Sequence, residues 1–147
     1  MIVRPATERD LDAWAGLRAA LWPDGALGEH HAEAAETLRE PDGLAAYVAE
    51  TPDGAIVGFV EAALRHDYVN GCDTSPVAFV EGLYVAPEHR GGDIARRLCE
   101  AVADWGRGRG CTELASDAEL DNVASHAFHK AVGFEETERV VYFRKAL

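Results

Sequence analysis

The chain is short of positive charge. Against 26 Asp and Glu it sets only 14 Lys and Arg, a formal net charge of −12 at neutral pH. That argues against nucleic acid as a partner, because a phosphate backbone is bound by concentrated Lys and Arg. It is compatible with a cationic partner drawn in by the field of the whole protein, or with acidity that serves solubility alone. Cysteine is scarce too. Cys72, Cys99 and Cys111 are odd in number and widely spaced, which suits neither a disulfide framework nor a zinc site. A reducing compartment, the cytoplasm, is the expectation. No apolar run approaches membrane-spanning length, so no membrane partner is expected, and the first residues, M-I-V-R-P-A-T-E, lack the pattern of a signal peptide. No repeat, linker or low-complexity tract divides the chain, and residues 1–147 are expected to form one domain with its own core.

What is present reads as alternating elements. Ile2 to Pro5 is a short strand, and Thr7-Glu8-Arg9-Asp10 resembles a capping box. Leu11, Trp14, Leu17 and Leu21 then recur at helical spacing, and the helix stops at Trp22 because Pro23 follows. Glu29 to Glu40 is a second, weakly apolar helix. Leu44 to Glu50 and Ala55 to Arg65 are strands joined at Thr51-Pro52-Asp53-Gly54, a turn. His66 to Pro76 has no period and many turn formers, so it is a loop. After the central stretch, Cys111 to Ser116 is a strand, Asp117 to Asn122 an acidic loop, Val123 to Val132 a helix and Phe134 to Arg144 a last strand. The order β-α-α-β-β-β-α-β-α-β is a mixed α/β pattern, too strand-rich for a doubly wound sheet.

The chain is organised around Val80 to Gly110. Phe79, Leu83 and Val85 are strand-type residues, and Ala86-Pro87-Glu88 ends the strand. Ile94, Leu98, Val102 and Trp105 recur at helical spacing. Between them, Arg90-Gly91-Gly92-Asp93 opens the helix with small, flexible residues. Unpaired N–H groups and the positive dipole end at such a start suit a phosphate, although an ordinary turn would also use glycines. Within the strand, Glu81-Gly82 breaks the apolar alternation. A glycine there suggests a bulge or a close approach, and a carboxylate in a central strand is costly unless it faces a solvated cleft or a cation. Glu81 is therefore a candidate functional residue.

Strand, then a glycine-opened helix start with Ala95 inside it, then a strand, an Asn-led helix, Gly-Phe and a last strand resembles the GNAT superfamily of acetyl-CoA-dependent N-acetyltransferases. Five segments are similar, more closely, to the small chromosomal-type aminoglycoside 6'-N-acetyltransferases: L-R-A-A-L-W-P, R-H-D-Y-V-N-G-C-D-T-S-P, F-V-E-G-L-Y-V, A-S-D and K-A-V-G-F-E-E-T-E-R-V. The resemblance spans essentially the whole chain. It implies a mixed α/β (α+β) fold, a central sheet flanked by helices, with central strands around Val80–Val85 and Cys111–Ser116 splayed by acetyl-CoA. The backbone of Leu83, Tyr84 and Val85 would take the pantetheine arm. The N–H groups of Gly91, Gly92, Asp93, Ile94, Ala95 and Arg96 would take the pyrophosphate, and Asn122 would also contact the cofactor.

For the acceptor, a cationic aminoglycoside, the matching positions are Trp22, Tyr68, Glu81, Asp117 and Glu138. Carboxylates from separate loops would attract and register several ammonium groups, and the two aromatics would be flat walls. Glu81 is the candidate to assist loss of the amine proton, or else only positions the amine. A backbone N–H near Tyr84 is the expected donor to the acetyl oxygen. Many relatives carry tyrosine where this chain has His129, which makes His129 a weaker candidate acid for the departing thiolate. No metal is expected, since His126 and His129 lack further converging ligands. A homodimer is expected by analogy. The chain departs from the family at Asp93, where the turn usually has glycine; its charge is expected to oppose a pyrophosphate, and its backbone to take left-handed torsions. Other readings are acetylation of another polyamine or amino sugar, and a catalytically weak module that captures cations.

Overall fold

The computed structural model describes all residues, 1–147. Five strands, β1 (Ile2–Pro5), β2 (Leu44–Glu50), β3 (Ile56–Arg65), β4 (Val77–Val85) and β5 (Leu114–Ala115), form one sheet in that spatial order. Helices α1 (Leu11–Leu21), α2 (Leu27–Arg39), α3 (Ile94–Arg107) and α4 (Val123–Ala131) flank it. Neighbouring strands run antiparallel except the parallel pair β4–β5, so the sheet is mixed as expected.

Alternation along β3 explains the two cores. Phe59 points to one face, where it meets Trp14 of α1, Ala34 of α2 and Val48. Val60 points to the other, where Ile94, Leu98 and Val102 of α3 close over Val80 and Val85. The 3.6-residue period of α3 thus lies against the sheet, and each fully buried side chain there, Leu98 and Val102, contributes roughly 1.5–3 kcal/mol. Near the first strand, Asp10 accepts the Thr7 N–H at 2.8 Å, as the capping box predicts. It is also buried and clamped by both terminal nitrogens of Arg4, at 2.7 and 2.8 Å, a pairing over six residues that the sequence pattern does not announce.

Two expectations fail. The strand predicted over Cys111–Ser116 shrinks to Leu114–Ala115, and the last strand, Phe134 to Arg144, does not form: residues 134–147 have no regular structure. A ladder of two residues offers a following segment almost no edge to pair with. Val140, Val141, Tyr142 and Phe143 are left 41%, 69%, 83% and 93% exposed, an apolar run without a partner in this chain.

Candidate active site

Strands β4 and β5 touch only at Ala78↔Leu114 and Phe79↔Ala115, so β4 has an open edge from Val80 onward. The sheet splays there. Opposite β3, the Ala86 N–H donates to the Val57 carbonyl at 2.8 Å, and the register continues through Phe59↔Tyr84 and Glu61↔Gly82. Backbone groups alternate sides along a strand. Those of Tyr84 therefore bond to β3, while those of Leu83 and Val85 face the open edge. Near Tyr84, the backbone N–H groups that face the open edge are therefore those of Leu83 and Val85. The Val85 carbonyl is already taken by Arg90 Nε at 2.7 Å.

The open edge leads to the start of α3. No side chain caps that helix, and the N–H groups of Gly91 to Arg96 have no hydrogen-bond partner. Gly91 takes the left-handed torsion, φ 84°, and a Cβ at Gly91 or Gly92 would meet nothing within 4 Å. The expectation for Asp93 is corrected: it is the N-cap residue, with an ordinary φ of −103°. Its exposed carboxylate turns to the Arg96 guanidinium at 3.4 Å, which partly offsets its charge.

Beside this cradle, the predicted bulge is present. The β3–β4 register shifts between Glu61 and Ala62, which face Gly82 and Val80, and Glu81 is the extra residue. Its carboxylate projects into solvent and is held by Arg65 at 2.9 Å, with the Arg65 guanidinium 3.7 Å from the Phe79 ring centroid. The close approach at Gly82 is by a side chain: a Cβ there would fall 2.4 Å from the Trp22 ring. Trp22, Gly82 and Glu81 are therefore neighbours.

Tyr68 stands 72% exposed on the loop after β3. Glu113 ties that loop down by accepting the N–H groups of Asp73 and Thr74, at 2.9 and 2.8 Å, and the Thr74 hydroxyl. The Thr74 hydroxyl, then these N–H groups, hold its carboxyl below the usual range. Thr137 packs on Gly71 of the same loop, which brings Glu138 beside it. Asp117, just past β5, is exposed and makes no ion pair.

His129 and Asn122 hold structural bonds. Asn122 caps α4, its side chain accepting the Ser125 N–H at 3.1 Å. His129 Nδ1 lies 2.7 Å from the Ser125 carbonyl and Nε2 lies 2.8 Å from the Ser116 hydroxyl. With Nδ1 donating, Nε2 accepts from Ser116, so both nitrogens are occupied and the ring clips α4 to the end of β5. That geometry does not favour the candidate acid role.

Over residues 11–134 the sequence matches the model of the Acetyltransferase (GNAT) family. The chain belongs to this family. It is 51% identical over 138 residues to an aminoglycoside N(6')-acetyltransferase type 1 from Serratia marcescens, covering 94% of each chain. It is 50% identical over 145 residues to that of Stenotrophomonas maltophilia, covering 99% of this chain and 93% of the relative. Among solved structures it is similar to AAC(6')-Iy in complex with the bisubstrate analogue CoA-S-monomethyl-acetylneamine, with a TM-score of 0.92 and 45% identity over 99% of this chain and 98% of the other.

Three charged residues beside this GNAT site escape a reading by motif. Arg65 pairs with Glu81, and Arg18 and Glu61 lie buried behind Trp22. The signal for Glu61 is the same as for Glu81, a carboxylate inside an apolar strand. For Arg18 it is a cation on the buried stripe of α1, four residues after Trp14.

Proposed function

We propose that the chain transfers an acetyl group from acetyl-CoA to the 6'-amino group of aminoglycoside antibiotics, by direct attack of the amine in a ternary complex, and so confers resistance. Residues 1–147 act as one acetyltransferase unit. One observation carries this reading: the open edge of β4 runs from an exposed carboxylate at its bulge to an uncapped helix start. The likeness to full-length aminoglycoside acetyltransferases supports it.

Acetyl-CoA, when bound, supplies an activated thioester carbonyl. Leu83, through its N–H and C=O, and Val85, through its N–H alone since Arg90 holds its carbonyl, would pair with the amide-bearing arm along the open edge of β4, with Tyr84 between them. The N–H groups of Gly91 to Arg96 would meet the pyrophosphate, aided by the helix dipole. Asn122, whose amide nitrogen remains available while its oxygen caps α4, would also contact the cofactor. Glu81 takes the acceptor ammonium in place of Arg65 and accepts its proton, directly or through water; only the neutral amine is a nucleophile. The Leu83 N–H, aimed into the gap beside the bulge, is the donor for the acetyl oxygen. Trp22 and Tyr68 flank the sugar rings, and Asp117 and Glu138 hold the remaining ammonium groups.

The exposed run Val140 to Phe143 supports a homodimer in which each copy covers the other's C-terminal segment. The three free cysteines support a cytoplasmic enzyme. No helix is long and apolar enough to cross a membrane. Assaying CoA release with acceptors that carry a 6'-amine or a 6'-hydroxyl tests the activity. Release with the amine series alone is expected; equal release with both, or none, overturns it. Light scattering of the full chain and of Phe143→Lys tests the dimer, which the substitution is expected to weaken.

A further inference from the structure

We propose that Arg18 is a positioning residue for the acceptor wall, its buried guanidinium fixing the indole of Trp22 beside Glu81. This rests on Trp22 meeting the acceptor, as proposed above. Trp22 lies one residue beyond α1, with φ −124° and ψ 77°, so helical torsions do not set its side chain. Its N–H still donates to the Arg18 carbonyl at 2.8 Å, and the Arg18 guanidinium carbon lies 4.8 Å from its ring centroid.

Arg18 is itself immobilised. It is 4% exposed, pairs with buried Glu61 and reaches Glu33 on α2, which is open to solvent. Trp14 Nε1 donates to the same Glu61 carboxylate at 3.0 Å, fixing its orientation. The remaining sides of the indole are Phe59, edge-on at 6.1 Å, His30, stacked at 6.5 Å, and Gly82. His30 Nε2 also lies 2.9 Å from the Trp22 carbonyl.

Stability is a poor reason for this arrangement. A buried ion pair often does no better than apolar side chains of equal volume, and here Arg18 Nε has no partner at all. What an apolar replacement lacks is the planar cation that stacks on an indole while forking to two carboxylates. Glu61 also sits opposite Gly82 in the register, so one carboxylate ties the tryptophan support to the bulge that presents Glu81.

The test uses the full chain with Arg18→Lys, which keeps charge but not the planar fork, and Glu33→Gln, which cuts the network at its solvent end. Two readouts are followed: the Trp22 indole N–H in a nitrogen-15 spectrum, assigned with Trp22→Phe, and the KM values for kanamycin and acetyl-CoA. The indole signal is expected to move or broaden in both variants. Kanamycin KM is expected to rise about tenfold in Arg18→Lys and a few-fold in Glu33→Gln, with acetyl-CoA KM within about twofold of the parent. A lowered melting temperature with the indole signal and the KM ratio unmoved overturns the proposal. If Arg18→Lys does not fold, Glu33→Gln decides alone by the same criteria. A parent chain that acetylates no aminoglycoside refutes the proposed activity instead, and the indole signal still judges whether Arg18 sets the ring.

Discussion

Gly82→Ala tests the contact with Trp22 on which the proposed acceptor half of the site rests. The added methyl would sit 2.4 Å from Cζ2 and Cη2 of Trp22 and 3.3 Å from Leu21 Cδ2. Carbon atoms rest about 3.5–4.0 Å apart, so the indole must retreat by about 1 Å. Phe59, wholly buried, and the stacked His30 and Arg18 stand around the half-buried ring, so its retreat must push against one of them or turn it toward solvent. Gly82 does not have a positive φ, so alanine suits the backbone and the effect is steric. Overpacking of this kind costs about 1–3 kcal/mol, a fall in melting temperature of roughly 3–10 °C for a chain of this size. The aminoglycoside KM should rise about tenfold or more, since a 1 Å misplacement is felt strongly at a reacting centre. Acetyl-CoA KM should change little, because the Leu83 and Val85 groups stay on the open edge. Steady-state kinetics with both substrates and a thermal melt decide it. A melting temperature and an aminoglycoside KM equal to the parent would show that Trp22 does not cover Gly82. An equal rise in both KM values would show that β4 itself gives way.

Arg65→Met removes the cation that occupies the Glu81 carboxylate while keeping an apolar stem over Phe79; aminoglycoside KM at low salt should fall by about 2–5-fold, and a rise would refute the competition. For Asp93→Gly the structure lowers the expected gain: its carboxylate leans to Arg96, so acetyl-CoA binding by calorimetry should tighten by no more than about threefold, and a tenfold gain would place the charge against the pyrophosphate. Arg4, then the Thr7 N–H and hydroxyl, hold the Asp10 carboxyl down at about 2 against the opposing effect of burial. A carboxyl depressed in the fold adds stability above its unfolded pKa of about 4 and loses it as pH falls towards 2, so Asp10→Asn should cost about 2 kcal/mol at pH 7 and progressively less below pH 4. Melts of the two proteins that run parallel from pH 7 to pH 2 would refute that reasoning.

The parts of the fold legible in the sequence are those written in local pattern. Ile94, Leu98 and Val102 announce the buried stripe of α3, and Thr51 to Gly54 announces the β2–β3 hairpin, where Gly54 has φ 88°. Glu81-Gly82 announces the bulge, because a lone carboxylate beside a glycine contradicts every other residue of β4. The failure at Phe134 to Arg144 has the same origin. That segment has strand composition, yet a strand needs an edge, and whether β5 offers one depends on how far β4 and β5 splay rather than on the segment itself.

The site divides along the same line. The cofactor half proposed above draws on backbone groups in near-consecutive residues, so glycines and a strand-to-helix transition suffice to suggest it. The acceptor half proposed above draws on side chains at the end of α1, in a loop, at a bulge and in the C-terminal segment, which no spacing rule joins and only family resemblance assembles. Glu61 and Glu81 show why. Both are single carboxylates within apolar strands, one step of register apart in the folded sheet. Glu61 turns under α1 and is neutralised by Arg18, 43 residues away in sequence, whereas Glu81, displaced by the bulge, meets only the end of Arg65 and water. The pattern that flags a buried charge is identical in the two cases. What separates a structural carboxylate from one available to a cationic substrate is a long-range partner, and for Glu81 the partner it has is one that a polycation at the same carboxylate would displace.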